Sequence, residues 1–243
     1  MNPLRLKILE FIHESNQGDI GLSFAMVDLL KALYLGGQLK YDATKPQWEE
    51  RDYVIVSSRA AWPAHFACLE KAGFKVGSFS WSKNAAKVPG VEIGMDYSGH
   101  GLAVGLGVAR SLKMSKKENK VYVVLDDDDL KTGTTWEAIM EAAYERLSNL
   151  IVIVSHNLDA KLDPLQDKFE AFEWRVKKLV NGHNEDEVLD AIYAAKEKKR
   201  KPTLILAPTV LGKGVPFAEG KQEYRRALFS EAELTEAVKF LET

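Results

Sequence analysis

The sequence predicts an α/β protein, a doubly wound, mainly parallel sheet of about five or more strands with helices on both faces. Three observations carry this expectation. VYVVL, TTWEAIMEAAYERL and NLIVIVSH follow one another between residues 121 and 156 as strand, helix and strand, and both strands are apolar throughout, as strands covered on both faces must be. Short β-branched runs alternate with helical periodicity along much of the chain. A hydrophobic content of 46% in 243 residues suffices for one large core, so residues 1–243 read as one domain.

The elements follow in order. PLRLKILEFIHES (3–15) has helical apolar spacing, and a second helix runs from about Ser23 to Leu35. DYVIVSS (52–58) is a strand, and AAWPAHFACLEKAGF (60–74) is a helix stopped near Gly73. Residues 75–98 are irregular, with a turn at Pro89-Gly90. GHGLAVGLGVARSLKM (99–114) is a helix with small residues along one face, suited to close packing. In the strand–helix–strand unit, Thr134 and Glu137 have the spacing of a capping box. WRVKKLV (174–180), a helix over 185–198 and TLILAPT (203–209) extend the sheet, with KEKKRK (196–201) as a polar helix end.

Composition excludes several function classes. A net charge of −2 and a pI near 6.3 give no basic footprint for nucleic acid or an anionic membrane. Cys68 is the only cysteine, so one chain makes neither a disulfide nor a cysteine metal site, and its apolar setting reads as structural. No signal pattern and no apolar run of about 18 residues is present, which predicts a cytoplasmic protein.

VYVVLDDDDLKTG raises the functional question. Ligands of parallel α/β sheets bind beyond the carboxyl ends of the strands, where Asp126, Asp127, Asp128 and Asp129 fall. Helix capping would need one carboxylate, whereas four repel one another. Asn157 lies at the end of the next strand, so a carboxylate and a carboxamide meet there as oxygen ligands of the kind Mg²⁺ or Ca²⁺ takes.

Nearly the whole chain resembles the N-terminal, diphosphate-binding subunit of split transketolases. GDIGLSFAMVDLLKALY (18–34), PGVE (89–92), GHGLAVGLGVA (99–109) and GKGVPF (212–217) are similar to stretches of that family. VLDDDDLKTGTTWEAIMEAA falls where the family has its Gly-Asp-Gly-Glu cofactor motif, and NLIVIVSHN where that motif ends in Asn. The resemblance implies the thiamine-diphosphate-binding fold, with thiamine diphosphate and Mg²⁺ as cofactors. It also implies a companion C-terminal transketolase-type subunit, in a homo- or hetero-oligomer. By the same resemblance Asp127, Asn157 and the backbone carbonyl of Asp159 are the metal ligands, and Gly99, His100, Gly101, Asp126, Asp128 and His156 border the cofactor.

The chain departs from the family at named positions. Asp126 and Asp128 replace the two glycines of the motif, which puts negative charge where a diphosphate would lie and implies weakened cofactor use. Asp96 replaces a further glycine. Asp19, Ala60, Lys83 and Arg225 stand where the family has active-site histidines, and none of them replaces an imidazole as proton donor and acceptor near neutral pH. Trp62, Trp81 and Tyr97 replace smaller residues near the cleft. His13, His65 and His183 read as structural, whereas His100 and His156 lie beside the cleft. Two readings stand open: a transketolase-like subunit that works on a sugar or sugar phosphate, and a cofactor-free relative that stabilises a partner or binds another ligand.

Overall fold

The computed structural model describes residues 2–16, 19–77, 79, 87–94, 98–157, 161–197, 200–225 and 227–242. Five parallel strands form one sheet: β1 (Tyr53–Val56), β2 (Val121–Asp126), β3 (Leu150–His156), β4 (Arg175–Lys178) and β5 (Thr203–Pro208), in the order β1-β2-β3-β5-β4. The predicted fold class therefore holds. Register aligns Asp126 with Ser155 and His156 with Pro208, so the carboxyl ends of β2, β3 and β5 share one edge.

Alternation along the strands divides the core into two layers. Tyr122, Val124, Ile151, Ile153 and Ile205 face the helices α1 (Pro3–Ser15), α2 (Ile20–Leu35), α3 (Trp62–Lys71) and α7 (Glu185–Ala195). Val123, Leu125, Val152, Val154 and Leu204 face α4 (Gly101–Met114), α5 (Gly133–Tyr144) and α6 (Leu165–Ala171). The C-terminal helix α8 (Glu231–Glu242) joins the first layer through Ala237 and Leu241.

Local chemistry explains where several elements begin. Asn2 caps α1 ahead of Pro3, and Asn184 caps α7, whose first turn carries Glu185, Asp186 and Glu187 against the helix dipole. α2 starts at Ile20 rather than Ser23, because the Ser23 amide already bonds Asp19 O at 2.9 Å. Ser23 instead donates its hydroxyl to Ala60 O at 2.7 Å. The helix is apolar on nearly all sides because it is buried on nearly all sides.

Other expectations are corrected. The capping box at Thr134 and Glu137 does not form: α5 begins at Gly133 with Thr132 as its cap residue, and no side chain caps it. Thr132 Oγ1 donates instead to Asp129 O at 2.8 Å, following the turn that leaves β2. α4 begins at Gly101 rather than residue 99, after Gly99 at φ +88°. α7 ends at Ala195 rather than 198, and α6 and α8 are helices that the periodicity did not predict. Trp62 is 2% exposed within the first core layer. Trp81, Asp96 and Tyr97 lie outside the described residues.

Candidate functional site

The turn after β2 sorts the four aspartates. Asp126 ends the strand with its side chain directed inward: Oδ1 accepts from the amides of Asp128 (2.9 Å) and Asp129 (3.1 Å), and Oδ2 accepts from Ser58 Oγ (2.7 Å). Asp129 is equally enclosed. Its Oδ1 accepts from Ser57 Oγ (2.7 Å) and the Gly99 amide (2.6 Å), and its Oδ2 accepts from the Asp126 amide (3.0 Å). Both are 1% exposed or less. Burial raises both carboxyls above the usual range, the neighbouring charge of Asp128 adds to it at Asp126 and that of Asp126 at Asp129, and Asp129 is pushed up to about 7 despite its hydrogen bonds. These two acids thus hold the turn against β1 and the start of α4.

The glycines at that junction serve the same contact. A Cβ on Gly99, at φ +88°, would lie 2.1 Å from Thr132 Oγ1, and one on Gly101 would lie 2.3 Å from Ser57 Cβ. The Gly101 amide donates to Ser57 Oγ at 3.2 Å, so the amides of Gly99 and Gly101 point at side chains of this chain. His100 between them is exposed.

Asp127 joins β2 to β3. Its Oδ1 lies 2.7 Å from His156 Nδ1, and its Oδ2 accepts from the Asn157 amide at 2.9 Å. Burial opposes charge on His156, yet Asp127, with help from Asp163 at 3.5 Å from Nε2, raises the imidazole pKa. The carboxamide of Asn157 is oriented by Thr209, because its Nδ2 donates to Thr209 Oγ1 at 2.7 Å and approaches Thr209 O at 3.4 Å. That orientation leaves Asn157 Oδ1 buried without a hydrogen-bond partner among the described residues. A buried amide oxygen that accepts nothing, beside a carboxylate, is the kind of donor a hard divalent cation takes. Among the described residues no group of three or more His, Cys, Asp or Glu could hold a metal ion, so a cation here would draw further oxygens from backbone or ligand. Asp127 and Asn157 fit Mg²⁺ on these grounds. Asp159 lies outside the described residues.

Asp128 alone of the four is part-exposed. Its side chain is 24% exposed and meets Arg225 Nη2 at 3.1 Å and Lys131 Nζ at 3.2 Å. Burial would raise this carboxyl, but the two cations, Arg225 foremost, hold it below the usual range. Of the other residues expected to stand at the family's histidine positions, Asp19 precedes α2 and Ala60 is buried beside Leu22 and Leu211, while Lys83 lies outside the described residues.

Behind the edge, Asp28 accepts from Arg5 Nη1 (3.0 Å) and Nη2 (2.7 Å) and lies 2.7 Å from His183 Nδ1. His183 Nε2 accepts from the Val210 amide, so Nδ1 carries the proton, and Arg5 Nε donates to Lys213 O. GKGVPF is thereby tied to α1 and α2, and His183 is structural as expected. Ser57, Ser58 and Thr209 were not among the residues expected from the sequence, although they lie in the first two positions after β1 and the first after β5. Their position was the available signal.

Residues 1–241 match the family described as transketolase, thiamine diphosphate binding domain. This chain belongs to that family. It is 32% identical over 240 residues to the 6-deoxy-6-sulfo-D-fructose transketolase subunit SqwG of Clostridium sp. (strain MSTE9), covering 90% of this chain and 86% of that protein. It is 28% identical over 254 residues to one subunit of the apulose-4-phosphate transketolase of Phocaeicola vulgatus, covering 97% and 90%. The transketolase of Campylobacter jejuni superposes with a TM-score of 0.87 at 26% identity, over 99% of this chain and 42% of that one. The Leishmania mexicana enzyme, at 23% identity and a TM-score of 0.85, is alike in fold, and this transketolase-family chain spans 40% of its length. No described helix is long and apolar enough to cross a membrane.

Proposed function

We propose that this chain is the diphosphate-binding subunit of a split transketolase, working with a separate subunit that supplies the rest of the active site. The observation that carries the reading is the buried, unpartnered Oδ1 of Asn157 beside Asp127, at the carboxyl edge of a chain matched to the family over residues 1–241. Two relatives covered nearly end to end are named as transketolase subunits, one for a sulfo-sugar and one for a sugar phosphate. The substrate class is accordingly a ketose bearing an anionic group.

In this reading Asp127 and Asn157 hold Mg²⁺, with the carbonyl of Asp159 as a third protein oxygen. His156 fixes the Asp127 carboxylate, and Thr209 fixes the Asn157 amide. Thiamine diphosphate, when bound, supplies the electron sink for breaking the bond beside the ketose carbonyl. Asp126 and Asp129 turn inward, so Asp128 is the acid that opposes a diphosphate, and Arg225 and Lys131 offset it. Weakened cofactor use then rests on Asp128 alone.

Ala60 and Arg225 favour the second reading, a relative without ketol transfer, because neither exchanges a proton near neutral pH. Titration calorimetry with thiamine diphosphate, with and without Mg²⁺ and with and without a C-terminal transketolase-type subunit, separates the two. Saturable, Mg²⁺-dependent binding and ketol transfer in the two-subunit mixture support the first. Absence of heat in every combination supports the second.

A further inference from the structure

We propose that Asp128 and Arg225 act as one charge pair that sets the affinity of the cleft for a diphosphate, with Asp128 competing against the anion for the guanidinium. The inference rests on the reading of the cleft as a diphosphate site. It begins from an incomplete contact. Arg225 Nη2 lies 3.1 Å from Asp128 Oδ2, yet it is buried and makes no hydrogen bond of good geometry. A guanidinium recognises carboxylates and phosphates through aligned donors, so this one is held by charge while a donor stays unsatisfied.

The turn that carries Arg225 is packed against two helices. A Cβ on Gly21 would lie 2.5 Å from Tyr224 O and 2.9 Å from Arg225 Cα, so the start of α2 presses directly on the backbone of this turn. Tyr224 Oη donates to Glu233 at 2.6 Å and ties the turn to α8. The backbone of Arg225 is therefore held on both sides, which fixes the base from which its side chain reaches Asp128. Asp128 adjoins Asp127, the metal position, so an anion bound through a cation there meets the carboxylate and the guanidinium together. Lys131, 44% exposed at the other oxygen of Asp128, shares the neutralisation from the solvent side. Asp128 without Arg225 would repel the anion, and Arg225 without Asp128 would be free to receive it.

The test measures binding of thiamine diphosphate with Mg²⁺, and separately of inorganic pyrophosphate with Mg²⁺, to the two-subunit complex at several ionic strengths. Asp128→Asn should tighten both by about tenfold and steepen the salt dependence. Arg225→Gln should weaken both by tenfold or more, and Lys131→Gln, on an exposed side chain, by a few-fold. The double variant should return close to the unaltered protein. Melting curves identify any variant that fails to fold, and Lys131→Gln then keeps the order testable. Unchanged or weaker binding by Asp128→Asn would overturn the pair. If thiamine diphosphate binds without the predicted order, the inference fails and the proposed function stands. If only pyrophosphate binds, in the predicted order, the charge pair stands and the thiamine reading fails. If neither binds, both fall.

Discussion

The backbone amide of Asn157 donates to Oδ2 of Asp127 at 2.9 Å, fastening the end of β3 to the end of β2. This bond uses the main chain of Asn157 and leaves the carboxamide to Thr209, and the side-chain oxygen stays without a donor among the described residues. Such a buried oxygen carries an unrecovered desolvation cost unless a ligand meets it.

Asn157→Ala should therefore weaken Mg²⁺-dependent binding of thiamine diphosphate by at least about tenfold, while lowering stability by only about 1 kcal/mol, the net worth of the lost bond to Thr209. Calorimetry and urea denaturation of the same variant test both halves. A large loss of stability with unchanged binding would assign Asn157 a structural role.

Asp126→Gly removes the acceptor for two turn amides and Ser58. It should cost about 1–3 kcal/mol. Asp128→Gly, on a part-exposed side chain, should cost less than about 1 kcal/mol. Equal urea midpoints for the two variants would contradict the inward role of Asp126.

His65 is buried, lies 2.8 Å from Tyr34 Oη, and is held down to about 3 by burial. A depressed folded-state pKa means the unfolded chain binds the extra proton, so stability is full above about pH 6.5 and falls as pH drops toward 3. The slope from this group is at most about 1.4 kcal/mol per pH unit. His65→Gln should flatten the fall in denaturation midpoint between pH 6.5 and 4; an unchanged profile would assign the acid sensitivity elsewhere.

Gly107 sits on the exposed side of α4, and a Cβ added there meets nothing within 4 Å. Gly107→Gln should raise stability by about 0.5–1 kcal/mol through helix propensity. If α4 packs against a partner, the same change should reduce association with the companion subunit or a second copy. Sedimentation velocity reads that effect, and unaltered association together with raised stability would place the interface on another face.

The sequence by itself determined the parallel sheet, its order of strand and helix, and the arrival of the acids at its carboxyl edge. Fully apolar strands such as VYVVL and LIVIV must be covered on both faces, and parallel crossovers bring their ends together. Part of the family resemblance was legible for the same reason, since VLDDDDLKTG, SHN and GKGVPF lie at or just after the ends of β2, β3 and β5. Local pattern was weaker where two residues satisfied it equally: Thr132 and Thr134 both suit a helix start, and the bond from Thr132 to Asp129 O follows from the turn at Asp126. Only the tertiary structure decided what each aspartate does. Asp126 and Asp129 are enclosed by Ser58, Ser57 and Gly99, Asp127 is held by His156 and Asn157, and Asp128 faces Arg225. Four identical residues in a row carry no local signal that distinguishes them. Their burial and partners come from segments remote in sequence, and hydrogen-bond direction and desolvation are properties of that assembled surrounding.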